Sequence, residues 1–169
     1  MEHPVYDLAI APMLHMLKNL DAIVSKAEAH LDAHPDIEPA TLVQARLYPN
    51  MRSFVFQVQV ATDVAKGAAA RLSGNTPPSW PDDEESFDDI HQRIRKAIDF
   101  ISGFSPEDFD GAEQRDIELK LREETMRLSG TEYISSFALP NVFFHVTTAY
   151  NILRHNGVPL GKRDFLGWK

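Results

Sequence analysis

Apolar residues recur at three- and four-residue steps along four stretches of the chain. Over residues 6 to about 31, Ile10, Met13, Leu14, Leu17, Leu20, Val24, Ala27 and Leu31 fall on one stripe, the pattern of an amphipathic helix. Pro12 lies in its first turns, where a missing N–H is tolerated, and Pro35 and Pro39 end it and bracket a turn. Residues 41–47 predict one or two further helical turns before Pro49-Asn50. A second stripe over residues 51–72 runs Met51, Phe54, Val55, Val58, Ala61, Ala65, Ala68 or Ala69, and Leu72. Its alanines let a neighbouring helix approach closely, and Gly74-Asn75 supplies the stop. Pro77, Pro78 and Pro81 then make residues 76–85 a loop, with Asp82, Asp83, Glu84 and Glu85 in solvent. Ser86 caps a third helix with Asp88 and Asp89 in its first turn, where the helix dipole favours anions. Its stripe is Phe87, Ile90, Ile94, Ala97, Ile98 and Ile101, and Gly103 ends it.

Residues 116–128 break this rhythm. Ile117, Leu119 and Leu121 alternate with Glu118 and Lys120, and Met126 and Leu128 alternate around Arg127. A period of two predicts a β-hairpin turning near Glu123, with a helical continuation as the rival reading. A fourth helix is predicted over residues 141–155, after a short turn at 132–138. Pro140 precedes it and Asn156-Gly157-Val158-Pro159 follows it. The tail is irregular but carries Phe165, Leu166 and Trp168, and is expected to pack back onto the bundle. The fold class is therefore all-α, a four-helix bundle with a short β-hairpin before the last helix, in one domain spanning residues 1–169.

Composition narrows the function classes. The 169 residues are 43% hydrophobic and 25% charged, an ordinary globular balance. A formal net charge of -8 without a basic run argues against nucleic acid. The absence of cysteine excludes disulfides, thiolate metal sites and a Cys nucleophile, and fits a cytoplasmic protein. Met1-Glu2-His3-Pro4 has no basic region or apolar run of a signal peptide, and no apolar stretch approaches the ~20 residues of a membrane span.

No phosphate-binding glycine loop, Gly-x-Ser-x-Gly or His-Glu-x-x-His is present. The candidate chemistry sits on the fourth helix, where Asn141 and His145 lie one turn apart and share a face with Thr148. Val142, Phe143, Phe144, Val146 and Ala149 surround that face, so His145 is expected to be mostly buried, with its neutral form favoured. Its two readings, a core histidine held by one hydrogen bond or a ligand-binding base, stand level. On the second helix Gln59 and Asp63 are one turn apart and Gln57 flanks the stripe. For Gln57 a solvated polar face is the simpler reading. Arg154, His155 and Asn156 suit helix capping.

The run from Phe137 to Asp164, including Pro140-Asn141, His145, Tyr150, Arg154 and Gly157, resembles the C-terminal signature of a large uncharacterised family of bacteria and fungi. Asn19-Leu20, Ala45-Arg46-Leu47, Pro49-Asn50-Met51, the segment from Gln57 to Ala61, and the segment Lys66-Gly67 to Arg71-Leu72 resemble its other blocks. That family of unknown function is placed in the DinB/YfiT-like metalloenzyme superfamily. The resemblance implies an up-down-down-up four-helix bundle, often a homodimer. Superfamily relatives include transferases and isomerases that use bacillithiol or mycothiol and bind a divalent metal through three histidines, one on helix two and two at His-x-x-x-His spacing on helix four. Carried onto this chain, His145 matches the last histidine, Asn141 stands at the preceding one, and Gln59, or less closely Gln57, stands at the one on helix two. Amide oxygens are weak ligands for zinc or nickel.

The reading that follows is a small-molecule-binding bundle, with or without catalysis, and with no metal or cofactor. Its pocket would lie between helices two and four, with His145 as the acid or base. Gln59, Asn141, Gln57, Asp63 and Tyr150 would contact the ligand, and Phe54, Phe144 and Tyr150 would wall it. The alternatives are a zinc- or nickel-dependent, thiol-using transferase or isomerase, and a non-catalytic dimeric structural or stress-associated protein.

Overall fold

In the computed structural model, residues 3–121 and 124–168 are described. Helix α1 (Ala11–Ala33) is entered through a π-helical stretch, Tyr6–Ile10, in which Ala11 donates to the Tyr6 carbonyl. Pro12 has no N–H with which to hold the α-helical register at this point. The same device recurs before the last long helix. There the π-helical stretch Tyr133–Ala138 runs into α6 (Leu139–His155), with Pro140 at its second position. The short α5 (Gly130–Glu132) precedes that stretch, closed by a reciprocal Ser129–Glu132 capping box. Residues 130–155 thus form one helical rod, longer than the helix the sequence predicted.

Helix α2 (Pro39–Val43) is brief, and α3 (Phe54–Leu72) starts at Phe54 rather than Met51. Before α3, the Arg46 guanidinium donates to the Met51 carbonyl at 3.1 Å, and Phe54 N–H donates to the Ala45 carbonyl at 2.9 Å. These bonds hold residues 46–53 in an irregular turn. Helix α4 (Phe87–Ser102) begins at the predicted Ser86 cap, which forms a full capping box with Asp89. Strands β1 (Asp116–Leu121) and β2 (Glu124–Ser129) pair antiparallel, with Ile117 opposite Leu128 and Leu119 opposite Met126. The predicted turn at Glu123 lies outside the described residues, as do Met1 and Glu2.

Contacts between elements fix their directions. Asp21 and Glu28 of α1 both meet His91 of α4, and Glu28 also lines a cavity with Phe87, so the C-terminal half of α1 packs on the start of α4. Phe54 meets Phe87, and Thr62 meets Arg93. Helices α3 and α4 are therefore parallel. Gln57 meets His145 while Arg71 meets Tyr133, which makes α3 and α6 antiparallel. The result is the up-down-down-up bundle, with α1 and α6 up and α3 and α4 down.

The core between them is closed by Leu17, Leu20, Val58, Ile94, Val146 and Ile152, all fully buried. Ala61, Ala65 and Ala69 are also completely buried within the single chain. They are spent on internal packing and leave no small-residue face for a second subunit. Helix α7 (Lys162–Leu166) docks the tail on α1: Asn19 donates to the Phe165 carbonyl at 2.9 Å, and Lys26 pairs with Asp164. Phe165 and Leu166 are half-buried there, but Trp168 is 65% exposed, against the expectation that it packs. No helix among the described residues is long and apolar enough to cross a membrane.

Candidate functional site

His145 of α6 faces the first turn of α3. Its Nδ1 lies 2.7 Å from Gln57 Oε1, and Gln57 Nε2 donates to the Arg52 carbonyl at 3.2 Å. The second bond orients the amide, so the oxygen must face the imidazole, and His145 donates from Nδ1–H. In the neutral ring the lone pair is then on Nε2. Among the described residues Nε2 has no hydrogen-bonding partner. No buried side-chain nitrogen or oxygen among them lacks a partner, so Nε2 reaches solvent. The residue is half-buried, more open than its neighbours predicted, because Phe143 and Phe144 point outward at 38% and 59% exposure. Phe144 stands edge-on to the imidazole, with centroids 5.1 Å apart. Burial pushes the His145 pKa below its ordinary value of 6.5, because the charged ring would lose hydration.

Asn141, one turn earlier, is half-buried and donates to the Phe137 carbonyl at 2.7 Å, which leaves its amide oxygen as the free end. Thr148 turns its hydroxyl back to the Phe144 carbonyl at 2.7 Å and plays no part in the site. Of the expected contacts, Gln57 bonds His145, and Asn141 lies one turn away on the same helix with its amide turned back to Phe137. Gln57 is buried at 3% exposure, not solvated as the simpler reading had it.

Gln59 and Asp63 are elsewhere. Successive helical residues turn by about 100°, which sets residues 57 and 59 about 200° apart. Gln59 donates to Glu84 at 2.9 Å, and Asp63 accepts from Lys66 at 2.7 Å and from Arg93 at 2.9 Å. The Arg93 guanidinium donates to Thr62 Oγ1, the Pro81 carbonyl, Glu84 and Asp63 at 2.8–2.9 Å, and pairs with the Asp82 carboxylate at 2.9 Å. These residues hold the proline-rich loop onto α3 and α4. Phe54 is fully buried against Phe87. Tyr150 packs edge-on against Phe165 and lines a separate cavity of about 200 Å³ with Asn151 and Lys162. Neither walls the His145 site, which is an open shelf.

One signal separating the two glutamines was available in the sequence. Phe54, Val58, Ala61 and Ala65 centre the apolar stripe within about 70° of Gln57 and about 130° from Gln59. The residue nearer the stripe is the one that meets the neighbouring helix.

The donors do not fit the divalent metal that this fold class implies. No group of three or more His, Asp or Glu side chains that could hold a metal ion is present among the described residues. Gln57 has already committed its oxygen to His145, which leaves one imidazole nitrogen and the Asn141 amide oxygen. A zinc- or nickel-type ion takes three or four nitrogen or anionic ligands.

The up-down-down-up bundle is that of a DinB-like protein. A crystal structure of a DinB family member protein from Shewanella denitrificans is 40% identical to this chain, with a TM-score of 0.90, covering 98% of this chain and 93% of that one. The chain belongs to the domain-of-unknown-function family DUF1993, whose model matches residues 5–166. No functionally curated protein matches it.

Proposed function

We propose that this DinB-like protein binds a small polar molecule at the His145 shelf without a metal, with His145 Nε2 accepting a hydrogen bond or a proton from it. The observation that carries this reading is the oriented, unspent lone pair. Gln57 fixes the tautomer through Nδ1, desolvation favours the neutral ring, and Nε2 reaches solvent. A histidine retained only to fill the core would have no need of an accessible Nε2. The Asn141 amide oxygen supplies a second acceptor one turn away. The molecule that suits these groups carries a hydroxyl or N–H donor, with Phe144 offering an apolar edge.

The test is a thermal-shift screen of small hydroxyl- and amine-bearing compounds against the wild type and His145→Gln. Glutamine can retain one hydrogen bond to Gln57, so the variant should melt close to the wild type. A compound that raises the wild-type Tm should lose its effect in the variant. Equal shifts in both proteins would overturn the site, as would a variant that melts far lower while keeping the ligand effect.

A further inference from the structure

The segment from Lys66 to Arg71 holds three residues that the bundle core does not explain. Ala68, Ala69 and Ala70 are fully buried, but Lys66, Gly67 and Arg71, together with Asp63, line an open cavity of about 310 Å³ flanked by Pro77, Pro78 and Trp80. That volume is at the small end of ligand sites. Lys66 is a charged side chain only 5% exposed. Its ammonium binds Asp63 at 2.7 Å and lies 4.1 Å from the centre of the Trp80 ring. Asp63 is engaged from two sides, by Lys66 and by Arg93, so its charge is offset.

Arg71 is half-buried, and its one hydrogen bond among the described residues is a long one to Tyr133 Oη at 3.4 Å; it has no carboxylate partner. A planar fork whose four other donors face water beside a buried ammonium is an arrangement ready to take an anion. Gly67 makes it possible. A Cβ at that position would stand 2.5 Å from Arg71 Nη1, so only glycine lets the guanidinium lie back along α3 beside Lys66. The protein's formal charge of -8 supplies no general attraction for anions, which leaves these two cations to provide it.

We propose that this cavity binds the anionic head, carboxylate or phosphate, of a small molecule, with Arg71 as the bidentate contact and Lys66 as the buried charge. It begins about 14 Å along α3 from Gln57, at Lys66 on the opposite side of the helix, and reaches Arg71, about 21 Å away and within about 40° of the Gln57 direction. It is independent of the His145 shelf.

Trp168→Phe leaves Trp80 as the single tryptophan, a reporter on the cavity wall. Its fluorescence should respond saturably to inorganic phosphate or to acetate, and not to sodium chloride at matched ionic strength. Arg71→Met should weaken that response by about tenfold or more, since it removes both charge-assisted hydrogen bonds of the bidentate contact. Gly67→Ala keeps both charges but displaces the guanidinium, and should weaken it comparably. His145→Gln should leave it unchanged. A response that does not saturate for either anion, that chloride reproduces, or that survives both Arg71→Met and Gly67→Ala would overturn the site.

Discussion

At His145, burial sets the charge of the ring and the Gln57 hydrogen bond sets its tautomer. Desolvation lowers the pKa from 6.5, so between pH 6.5 and the lower folded value the unfolded chain binds more protons than the native one. Stability therefore rises with pH through that window and is lost as pH falls through it, once the native ring must charge. Proton NMR of the His145 ring should give a midpoint below 6.5, and the same increment in the stability–pH profile should vanish in His145→Gln. A midpoint at or above 6.5 would contradict the burial argument. Metal content tests the same residue from another side. With one imidazole and one free amide oxygen, protein purified without an affinity tag should carry well under one zinc or nickel per chain. Stoichiometric metal that disappears in His145→Ala would restore the metalloenzyme reading. His145 and Asn141 were legible in the sequence because one helix carries both. Gln57 was expected at the site but ranked behind Gln59, because the resemblance was placed by spacing and not by which side of α3 faces α6.

Among the elements, the loop between α3 and α4 is the least regular and the most tightly held. Burial opposes the charge on Arg93, but Glu84, Asp63 and Asp82 outweigh it and raise its pKa. Removing the guanidinium would leave Glu84, itself only 9% exposed, without its charged partner and with the Gln59 amide alone to donate to it. Asp63 and Asp82 keep contact with water, so Arg93→Met should cost about 3 kcal/mol, the low end for breaking a buried pair. Chemical denaturation measures this, and faster proteolysis within residues 76–86 should accompany it. A loss below about 1 kcal/mol would mean that the prolines hold the loop unaided. The acidic run was legible as a solvated loop, but Glu84 turns inward. Only the packed α3–α4 pair supplies the buried arginine that makes this favourable. The hairpin shows a similar division. Alternation predicted the strands, while the burial of Ile117 and Leu119 against exposed Met126, which shares their face opposite Leu119, depends on how far the bundle covers each strand. Where it returns to α5, a Cβ on Gly130 would stand 1.7 Å from the Ala112 carbonyl oxygen. Gly130→Ala should therefore destabilise the fold by more than about 1 kcal/mol, since backbone must move. An unchanged Tm would show that the return is not tight.

For the whole molecule, the homodimer expected from the family resemblance now depends on different residues. The α3 alanines are buried inside one chain, and the apolar groups left facing solvent on α6 are Phe143 and Phe144. Light scattering should give twice the mass of the chain, and Phe144→Ser should lower the apparent mass. A wild-type mass of one chain removes the dimer. The sequence by itself determined the four amphipathic rods, their C-terminal stops, the Ser86 cap and the helical fold class, and favoured the hairpin over a helical continuation. Those follow from periodicity and local backbone chemistry, which act over a few residues. Tertiary structure alone decided which polar residues share a site. Gln57 and His145 are 88 positions apart, and Lys66, Arg71 and Trp80 converge only when the 76–85 loop folds over α3. The rotation of each helix about its axis sets those meetings. It is fixed by how all the stripes pack together, because a turn of one residue, about 100°, exchanges one polar partner for another.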